Sequence, residues 1–307
     1  MDHLDLRRLR YFVAVAEELN FGRAAALLGI AQPSLSRAIQ RLEAQLGVLL
    51  LERTTRHVAL TAAGQTLLQQ ARTVLTASAA ATRRTQRAGR SDSTLRVAVK
   101  PSGTVATLQT LMHAYHAAHP MLPGAQVTVC GYGEPAILLR EGRADVALLR
   151  LPFDESGLDY DTLVTEPRMA IVAAGHRMAR QGPVHRADLA DEPVPRWPAT
   201  DPTTAAYWAG VDHQHRDRYP PPAGPTVSDM AQLLEVVALG QAVAFLPASS
   251  ATRHSDDHIV PVPVLDLSPS TVVVAWPHDC RSPAVAAFVH TACDLANRYP
   301  TDVATLA

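Results

Sequence analysis

The segment 32–47 restricts the fold most, because its apolar residues recur at steps of three and four, at Leu35, Ile39, Leu42 and Leu46. This spacing predicts an amphipathic helix whose apolar face packs inward. Pro33 suits the first turn, where a backbone N–H would have no partner within the helix. The opposite face carries short or hydrogen-bonding side chains, namely Gln32, Ser34, Ser36, Arg37 and Gln40. A helix with this second face can lie in the major groove of DNA and read base edges.

Two further helices are predicted before this segment. The first covers residues 6–19 and has an amphipathic spacing, and the second covers residues 22–28. Asn20 can cap the second helix, and Gly29 can end it in a left-handed conformation. Two helices joined by a tight turn, the later one polar on its outer face, form a helix-turn-helix.

The chain then predicts a wing and a long helix. Two short strands around a basic turn form the wing, in which Arg53, Thr54 and Arg56 could contact DNA phosphates. Thr61 can cap an alanine-rich helix that runs to about Arg87. The apolar side of that helix consists of Leu67, Leu68, Ala71, Val74, Leu75 and Ser78. A single helix of this length cannot bury such a stripe alone, so we expect it to pair with a second copy of the chain.

The net charge of −1 hides an uneven distribution. Residues 1–90 contain 13 Arg and 6 acidic residues, a net charge of +7, whereas residues 91–307 contain 15 basic and 23 acidic residues, a net charge of −8. This asymmetry indicates that the N-terminal part meets a polyanion and the rest does not.

Three strings in the N-terminal part match a family pattern: LRYFVAVAEE at 9–18, QPSLSRAI at 32–39 and LTAAG at 60–64. Because of these three strings, the first 65 residues resemble the LysR family of bacterial transcriptional regulators. The resemblance implies a sequence-specific DNA-binding protein that forms a homodimer or homotetramer, responds to a small-molecule effector and acts with RNA polymerase. Ala31 departs from the Ser or Thr cap usual in the family, at a cost of about 1 kcal/mol, and Leu51 replaces a common Phe. Without the resemblance, the same pattern would also fit a winged three-helix bundle that contacts other proteins.

Residues 91–307 predict an α/β body, since strands alternate with helices. The first three strands, at 94–100, 127–130 and 144–149, imply a parallel sheet with both faces covered. A second set of strands follows at 169–173 and 243–246, and a late strand at 271–275. One helix is expected to end near residue 118. Further helices are expected at 136–141, 187–189, 203–208, 228–239 and 283–297.

Three strings of the body, GRADVAL at 142–148, AGHRMA at 174–179 and VALG at 237–240, are similar to the LysR effector domain. The whole fold is then an all-α winged helix-turn-helix with a long linker helix, followed by a two-lobed α/β domain of the type 2 periplasmic-binding-protein kind. The expected boundaries are a DNA-binding domain at 1–60, a linker at 61–90 and an effector domain at 91–307. Its lobe I covers 91–164 and 269–300, and its lobe II covers 165–268, with crossings near 164–168 and 268–272.

Ligands of open α/β sheets bind beyond the carboxyl ends of strands, against helix N-termini. This rule selects Lys100, Ser102, Gly103, Thr104, Tyr132, Arg150, Thr203, Thr204, Ser228 and Ala248. Hydroxyls, free N–H groups and the two cations favour a carboxylate effector. The resemblance implies the same role for Ser102, Tyr132 and Arg150. As alternatives, Ser102 and Ser228 are plain helix caps, Lys100 is a surface lysine, and Arg150 pairs with Asp154 or Glu155.

Other functions are less well supported. The sequence has no apolar run of membrane-spanning length and no export signal, and its three scattered cysteines favour the cytoplasm. A solute-binding protein without a regulatory role, and a redox-responsive regulator using Cys280 and Cys293, stay as alternatives. We expect no metal site at His113, His116 and His119 or at His213 and His215, no cofactor, and no enzymatic activity, because no catalytic motif is present.

Overall fold

The computed structural model describes residues 4–53, 58–89, 94–101, 105–198, 201–211 and 221–300. The chain divides into two compact units, Met1–Ser91 and Asp92–Ala307. No helix in these described ranges is long and apolar enough to cross a bilayer.

The described residues of the first unit form four helices and a two-stranded antiparallel sheet. The elements are α1 (Leu6–Glu18), α2 (Phe21–Leu28), α3 (Gln32–Leu46), β1 (Leu51–Arg53), β2 (Val58–Leu60) and α4 (Ala62–Ala88). Asn20 caps α2 by accepting a hydrogen bond from the Arg23 N–H at 2.9 Å, and Gly29 ends it with a φ of 65°. Ala31 caps α3 without a side-chain hydrogen bond. The helix-turn-helix, the wing strands and the long helix are therefore as predicted.

The core of this unit lies between α1, α2 and α3. Phe12, Val15, Leu35, Ile39 and Leu42 are fully buried in it. The prediction that Leu46 also packs inward is wrong, since its side chain is 36% exposed. Leu46 is the last residue of α3, and the chain turns away at Gly47 with a φ of 69°.

Lobe I of the second unit is built on a five-stranded sheet with the order β4-β3-β5-β12-β6. The strands are β3 (Leu95–Val99), β4 (Ala125–Val129), β5 (Val146–Arg150), β6 (Leu158–Glu166) and β12 (Ser270–Pro277), and the helices are α5 (Val105–Ala118), α6 (Glu134–Arg140) and α10 (Pro283–Arg298). Strands β3, β4 and β5 are parallel, as expected. Strand β12 runs antiparallel to both of its neighbours, so the sheet as a whole is mixed.

Lobe II contains a three-stranded antiparallel sheet with the order β10-β7-β11 and a parallel pair of strands. The sheet consists of β7 (Arg168–Ala173), β10 (Ala244–Pro247) and β11 (Ile259–Pro263), and the pair of β8 (Val194–Arg196) and β9 (Ala223–Thr226). Its helices are a 3₁₀ turn (Arg186–Leu189), α7 (Pro202–Trp208), α8 (Met230–Ala238) and α9 (Ala248–Arg253). The chain crosses between the lobes at Pro167 and again between β11 and β12, close to the two predicted positions.

Five elements of the second unit were not predicted: β6, β8, β9, α9 and β11. Strand β11 contains Pro261 and Pro263, which argue against a central strand. It lies at the edge of its sheet, where one side of the strand has no neighbour and a proline without an N–H is tolerated. Helix α8 starts later than expected, at Met230, because Asp229 caps it by accepting from the Gln232 N–H at 2.9 Å. Ser228 is therefore not the helix cap.

Candidate functional site

The outer face of α3 is the candidate DNA-reading surface. Gln32, Ser34, Arg37 and Gln40 are exposed, and Ser36 is partly buried. The Arg37 Nε donates to the Pro33 carbonyl at 3.3 Å, which holds the guanidinium along the helix. Since Leu35, Ile39 and Leu42 are buried on the other side, the polar face of this helix is turned outward.

Glu43 connects α3 to the wing, and sequence reasoning gave it no role. Its carboxylate is 8% exposed, and Oε1 accepts hydrogen bonds from the backbone N–H groups of Leu50 at 3.0 Å and Leu51 at 3.2 Å. A buried carboxylate that accepts two N–H groups fixes the start of β1 relative to the helix. Its position four residues after Ile39 places a charge on the apolar face, which is the signal that could have identified it.

The start of α4 is attached to the same segment. Thr61 donates from Oγ1 to the Leu49 carbonyl at 2.8 Å and from its N–H to the Leu50 carbonyl at 3.0 Å. Its hydroxyl also accepts from the Gly64 N–H at 2.9 Å. A Cβ at position 64 would lie 2.1 Å from the Leu50 carbonyl oxygen, so only glycine allows this approach. Of the predicted wing residues, Thr54, Arg56 and the Arg53 side chain lie outside the described part of the chain.

The stripe of α4 is incompletely covered within one chain. Leu67, Leu68 and Leu75 are half-buried, and Val74 is 43% exposed. Only Ala71 of the predicted stripe is fully buried. Such a partly covered stripe on a 27-residue helix is consistent with the pairing of two chains.

Lys100 lies at the end of β3, where the two lobes meet. Its Nζ is 5.3 Å from the ring centre of Tyr132 in lobe I and 5.9 Å from that of Trp208 in lobe II. The Tyr132 ring also packs against Trp197 of lobe II, with ring centres 4.8 Å apart. An aromatic-lined cleft with one amine at its wall results. The sequence analysis did not select Trp197 and Trp208 for the site. They are two of the three Trp residues in the chain, and this rarity is a signal that could have identified them.

The Lys100 amine has an unusual environment. Burial, and secondarily the positive charge of Arg150, lower the pKa of Lys100 to about 7. Within the described residues Lys100 makes no ion pair and no hydrogen bond. The two rings lie near the outer limit for cation–π contacts and compensate only weakly for the lost hydration. The alternative of a plain surface lysine does not fit this setting.

Arg150 forms a buried network at the end of β5. Its guanidinium donates to Glu166 Oε1 at 2.8 Å and to Ser270 Oγ at 2.9 Å. Glu166 also accepts from the N–H of Ser249 at 2.7 Å and from its hydroxyl at 2.9 Å. The alternative that Arg150 pairs with Asp154 is wrong, because Asp154 pairs instead with Arg140 at 3.2 Å.

Other predicted effector positions do not offer free N–H groups. The N–H groups of Thr203 and Thr204 both donate to Asp201 Oδ1 at 3.0 Å, because Asp201 caps α7. Among the others, the Ser228 N–H donates to Gln232 at 2.8 Å and the Ala248 N–H donates to Pro167 at 2.9 Å. The expectation of free donors at these four positions is therefore wrong. Ser102, Gly103 and Thr104 lie outside the described residues.

Arg168 connects the two crossings between the lobes and was also missed. It is 1% exposed, and its guanidinium donates to the Ser268 carbonyl at 2.7 Å, to the Ser268 hydroxyl at 3.0 Å and to the Tyr207 carbonyl. It also stacks on the Tyr207 ring at 3.8 Å. An arginine at the start of a strand carries no sequence signal for such a role, because its partners are distant along the chain.

The cysteines and histidines give no second site in the described part of the chain. Cys280 and Cys293 are free thiols packed against the lobe I core. Burial raises the pKa of Cys293 and so disfavours its reactive thiolate. No cluster of metal-binding side chains is present among the described residues, and His213 and His215 lie outside them.

Comparison with protein families identifies the chain. Residues 6–65 match the model described as bacterial regulatory helix-turn-helix protein, lysR family, and residues 88–295 match the LysR substrate binding domain. The chain therefore belongs to the LysR family of DNA-binding transcriptional regulators with an effector-binding domain. Members of this family bind DNA and small-molecule effectors and form oligomers.

Individual relatives agree with this assignment. The HTH-type transcriptional regulator YnfL of Escherichia coli is 34% identical over 93% of this chain and 97% of its own length. BenM of Acinetobacter baylyi, an HTH-type transcriptional regulator, is 34% identical over 80% of this chain and 81% of its own. The crystal structure of full-length BenM has a TM-score of 0.56 at 30% identity, covering 97% and 98% of the two chains. CbnR complexed with its target DNA has a TM-score of 0.51 at 27% identity, covering 95% and 100%.

Proposed function

We propose that the chain binds operator DNA through α3 and the wing, and that a small carboxylate in the cleft between the lobes controls this binding. We propose the expected domain limits for these roles, with DNA binding at 1–60, the linker at 61–90 and the effector domain at 91–307. Two or four copies would act together on paired half-sites and with RNA polymerase in the cytoplasm. The proposed role involves no catalysis.

The DNA-binding proposal is supported by the outward polar face of α3. Gln32, Ser34 and Gln40 offer amide and hydroxyl groups to base edges, and Arg37 offers a guanidinium, whose preferred base partner is guanine. Pro33 and Ser36 lie beside them, and Arg53, Thr54 and Arg56 are proposed to hold the phosphate backbone.

The effector proposal rests on one observation: an amine, Lys100, lies in an aromatic cleft with no anionic partner among the described residues. Taking a cation from water into such a place is unfavourable unless an anion accompanies it. A carboxylate ligand would supply that anion. Tyr132 and Arg150 flank the site, and we propose that Ser102, Gly103 and Thr104 complete it, with Thr203, Thr204, Ser228 and Ala248 in the wall opposite.

A duplex from the intergenic DNA upstream of the gene tests the first half of the proposal. Arg37→Ala should weaken binding by about 1–3 kcal/mol, roughly 5- to 150-fold in Kd, as measured by fluorescence anisotropy. Arg10→Ala, which removes the same charge from an exposed site on α1, serves as the control. Equal effects of the two substitutions would mean that Arg37 contributes only general charge. Failure of the wild type to bind at low salt would instead support a solute-binding protein.

The second half is tested by thermal stability in a panel of small carboxylates. A ligand at 100 times its Kd stabilises the wild type by about 2.7 kcal/mol. Lys100→Met keeps the side-chain length but removes the amine, so it should lose most of this stabilisation. A variant stabilised as strongly as the wild type would exclude Lys100 from the site.

A further inference from the structure

We propose that Lys100 binds effectors that carry a carbonyl group by forming a reversible imine with them. This inference rests on the proposed effector cleft and specifies its ligand class. Together with the carboxylate proposed above, it points to 2-oxo acids and related carbonyl acids.

The geometry supplies what an amine nucleophile needs. The Nζ lies between the rings of Tyr132 and Trp208, at 5.3 Å and 5.9 Å from their centres, so it is partly withdrawn from water. No described carboxylate pairs with it to hold it as an ammonium ion. The charged and titratable groups beside it are Arg150 on β5, which repels a second positive charge, and Tyr132, a phenol whose pKa is itself raised by burial. Burial and a neighbouring cation are the two established ways of activating a lysine.

The amine is therefore available as a nucleophile near neutral pH. With the pKa of Lys100 lowered to about 7, about half of the molecules carry the neutral amine at pH 7. For a lysine of ordinary pKa, the neutral fraction is smaller by on the order of a thousandfold.

The reaction needs no further reagent. The nitrogen lone pair of the neutral amine attacks the carbonyl carbon, and a C–N bond forms. The carbonyl oxygen then leaves as water with the two protons of the amine, which gives the imine. Hydrolysis reverses the step, so the effector can be released unchanged.

The composition of the chain makes the test clean, because Lys100 is its only lysine. The full-length protein is incubated with pyruvate or glyoxylate and sodium cyanoborohydride, which reduces an imine to a stable secondary amine. We expect an adduct on Lys100, located by peptide mapping, which also counts any adduct on the α-amino group separately. Labelling should be half-maximal near pH 7 and at least about tenfold faster than in urea-unfolded protein at the same pH. Lys100→Arg, which keeps the charge and lacks the amine, should give no adduct at position 100.

Lactate separates this inference from the proposed function, since it has the carboxylate of pyruvate but no carbonyl. Stabilisation of the protein by lactate and pyruvate without an adduct on Lys100 would overturn the imine and leave the carboxylate site standing. An adduct confined to the α-amino group, or equal labelling of native and unfolded protein, would also overturn it. An adduct on native Lys100 without stabilisation by lactate would support the imine and count against the simple carboxylate site.

Discussion

Gly64 is the position where a single methyl group should most disturb the DNA-binding unit. An alanine Cβ would lie 2.1 Å from the Leu50 carbonyl oxygen and 3.0 Å from the Leu60 Cδ2. Because ordinary contacts of this kind begin near 3.4 Å, the start of α4 must move by about 1 Å or more from β1. That movement strains or breaks the two hydrogen bonds from Thr61 to Leu49 and Leu50.

The expected size follows from three contributions. Overpacking costs about 1–3 kcal/mol, and the two weakened hydrogen bonds cost about 0.5–1.5 kcal/mol each. The better helix propensity of alanine offsets about 1 kcal/mol of this. Gly64→Ala should therefore destabilise the first unit by about 1–5 kcal/mol.

Urea denaturation followed by far-UV circular dichroism measures this difference, with Gly89→Ala as the matched control. Gly89 has a φ of −76°, and an added Cβ would have no neighbour nearer than 3.8 Å, so the control should lie within about 0.5 kcal/mol of the wild type. If Gly64→Ala proved as stable as Gly89→Ala, the close approach of α4 to Leu50 would be refuted.

Two further substitutions test buried polar groups. Glu43→Ala leaves the N–H groups of Leu50 and Leu51 without their acceptor, so it should cost about 2–5 kcal/mol in urea denaturation, whereas Glu43→Gln, which retains an acceptor oxygen, should cost clearly less. Equal losses would show that the carboxylate oxygen is not the acceptor. Arg168→Met removes a buried guanidinium from Ser268 and Tyr207 and should destabilise the second unit by about 3–5 kcal/mol, and a neutral result in thermal denaturation would contradict its role between the lobes.

The N-terminal unit was predictable because its signals are local. The periodicity of α3, the cap at Asn20 and the left-handed Gly29 all act within a few residues, and the structure places them where the sequence does. The prediction failed at the helix ends, where Leu19 and Leu46 lie beyond the core and are exposed. In the second unit most strands and helices were found, but β6, β8, β9, α9 and β11 were not, and β11 was hidden by its two prolines.

The cleft was predictable only in part, because its chemistry depends on contacts between distant residues. The rule on strand ends correctly brought Lys100 and Tyr132 together. It could not show that Trp197 and Trp208 reach across from the other lobe, or that Arg150 pairs with Glu166 rather than with a residue of its own loop. The rule also overestimated the free donors at helix starts, since Asp201 already satisfies those of α7.

The protonation of Lys100 makes the effector proposal testable without knowing the effector. Because the folded pKa of about 7 lies below the ordinary value of 10.5, the unfolded chain binds more protons than the folded one between these values. Stability therefore rises with pH from about 7 upward, by up to about 1.4 kcal/mol per pH unit, and the full destabilisation by the buried ammonium is present below pH 7.

Lys100→Met lacks this dependence, while the other titrating groups of the two proteins are shared and cancel. The variant should be more stable than the wild type at pH 6, and the difference should shrink as the pH rises to 9. A single carbon-13 resonance from the labelled lysine side chain gives the pKa directly, and a bound carboxylate should raise it, since an anion favours the charged amine. A stability difference that is flat with pH, together with a lysine signal titrating near 10.5, would place this amine in water rather than in the cleft, and the reason for an anionic effector would be lost.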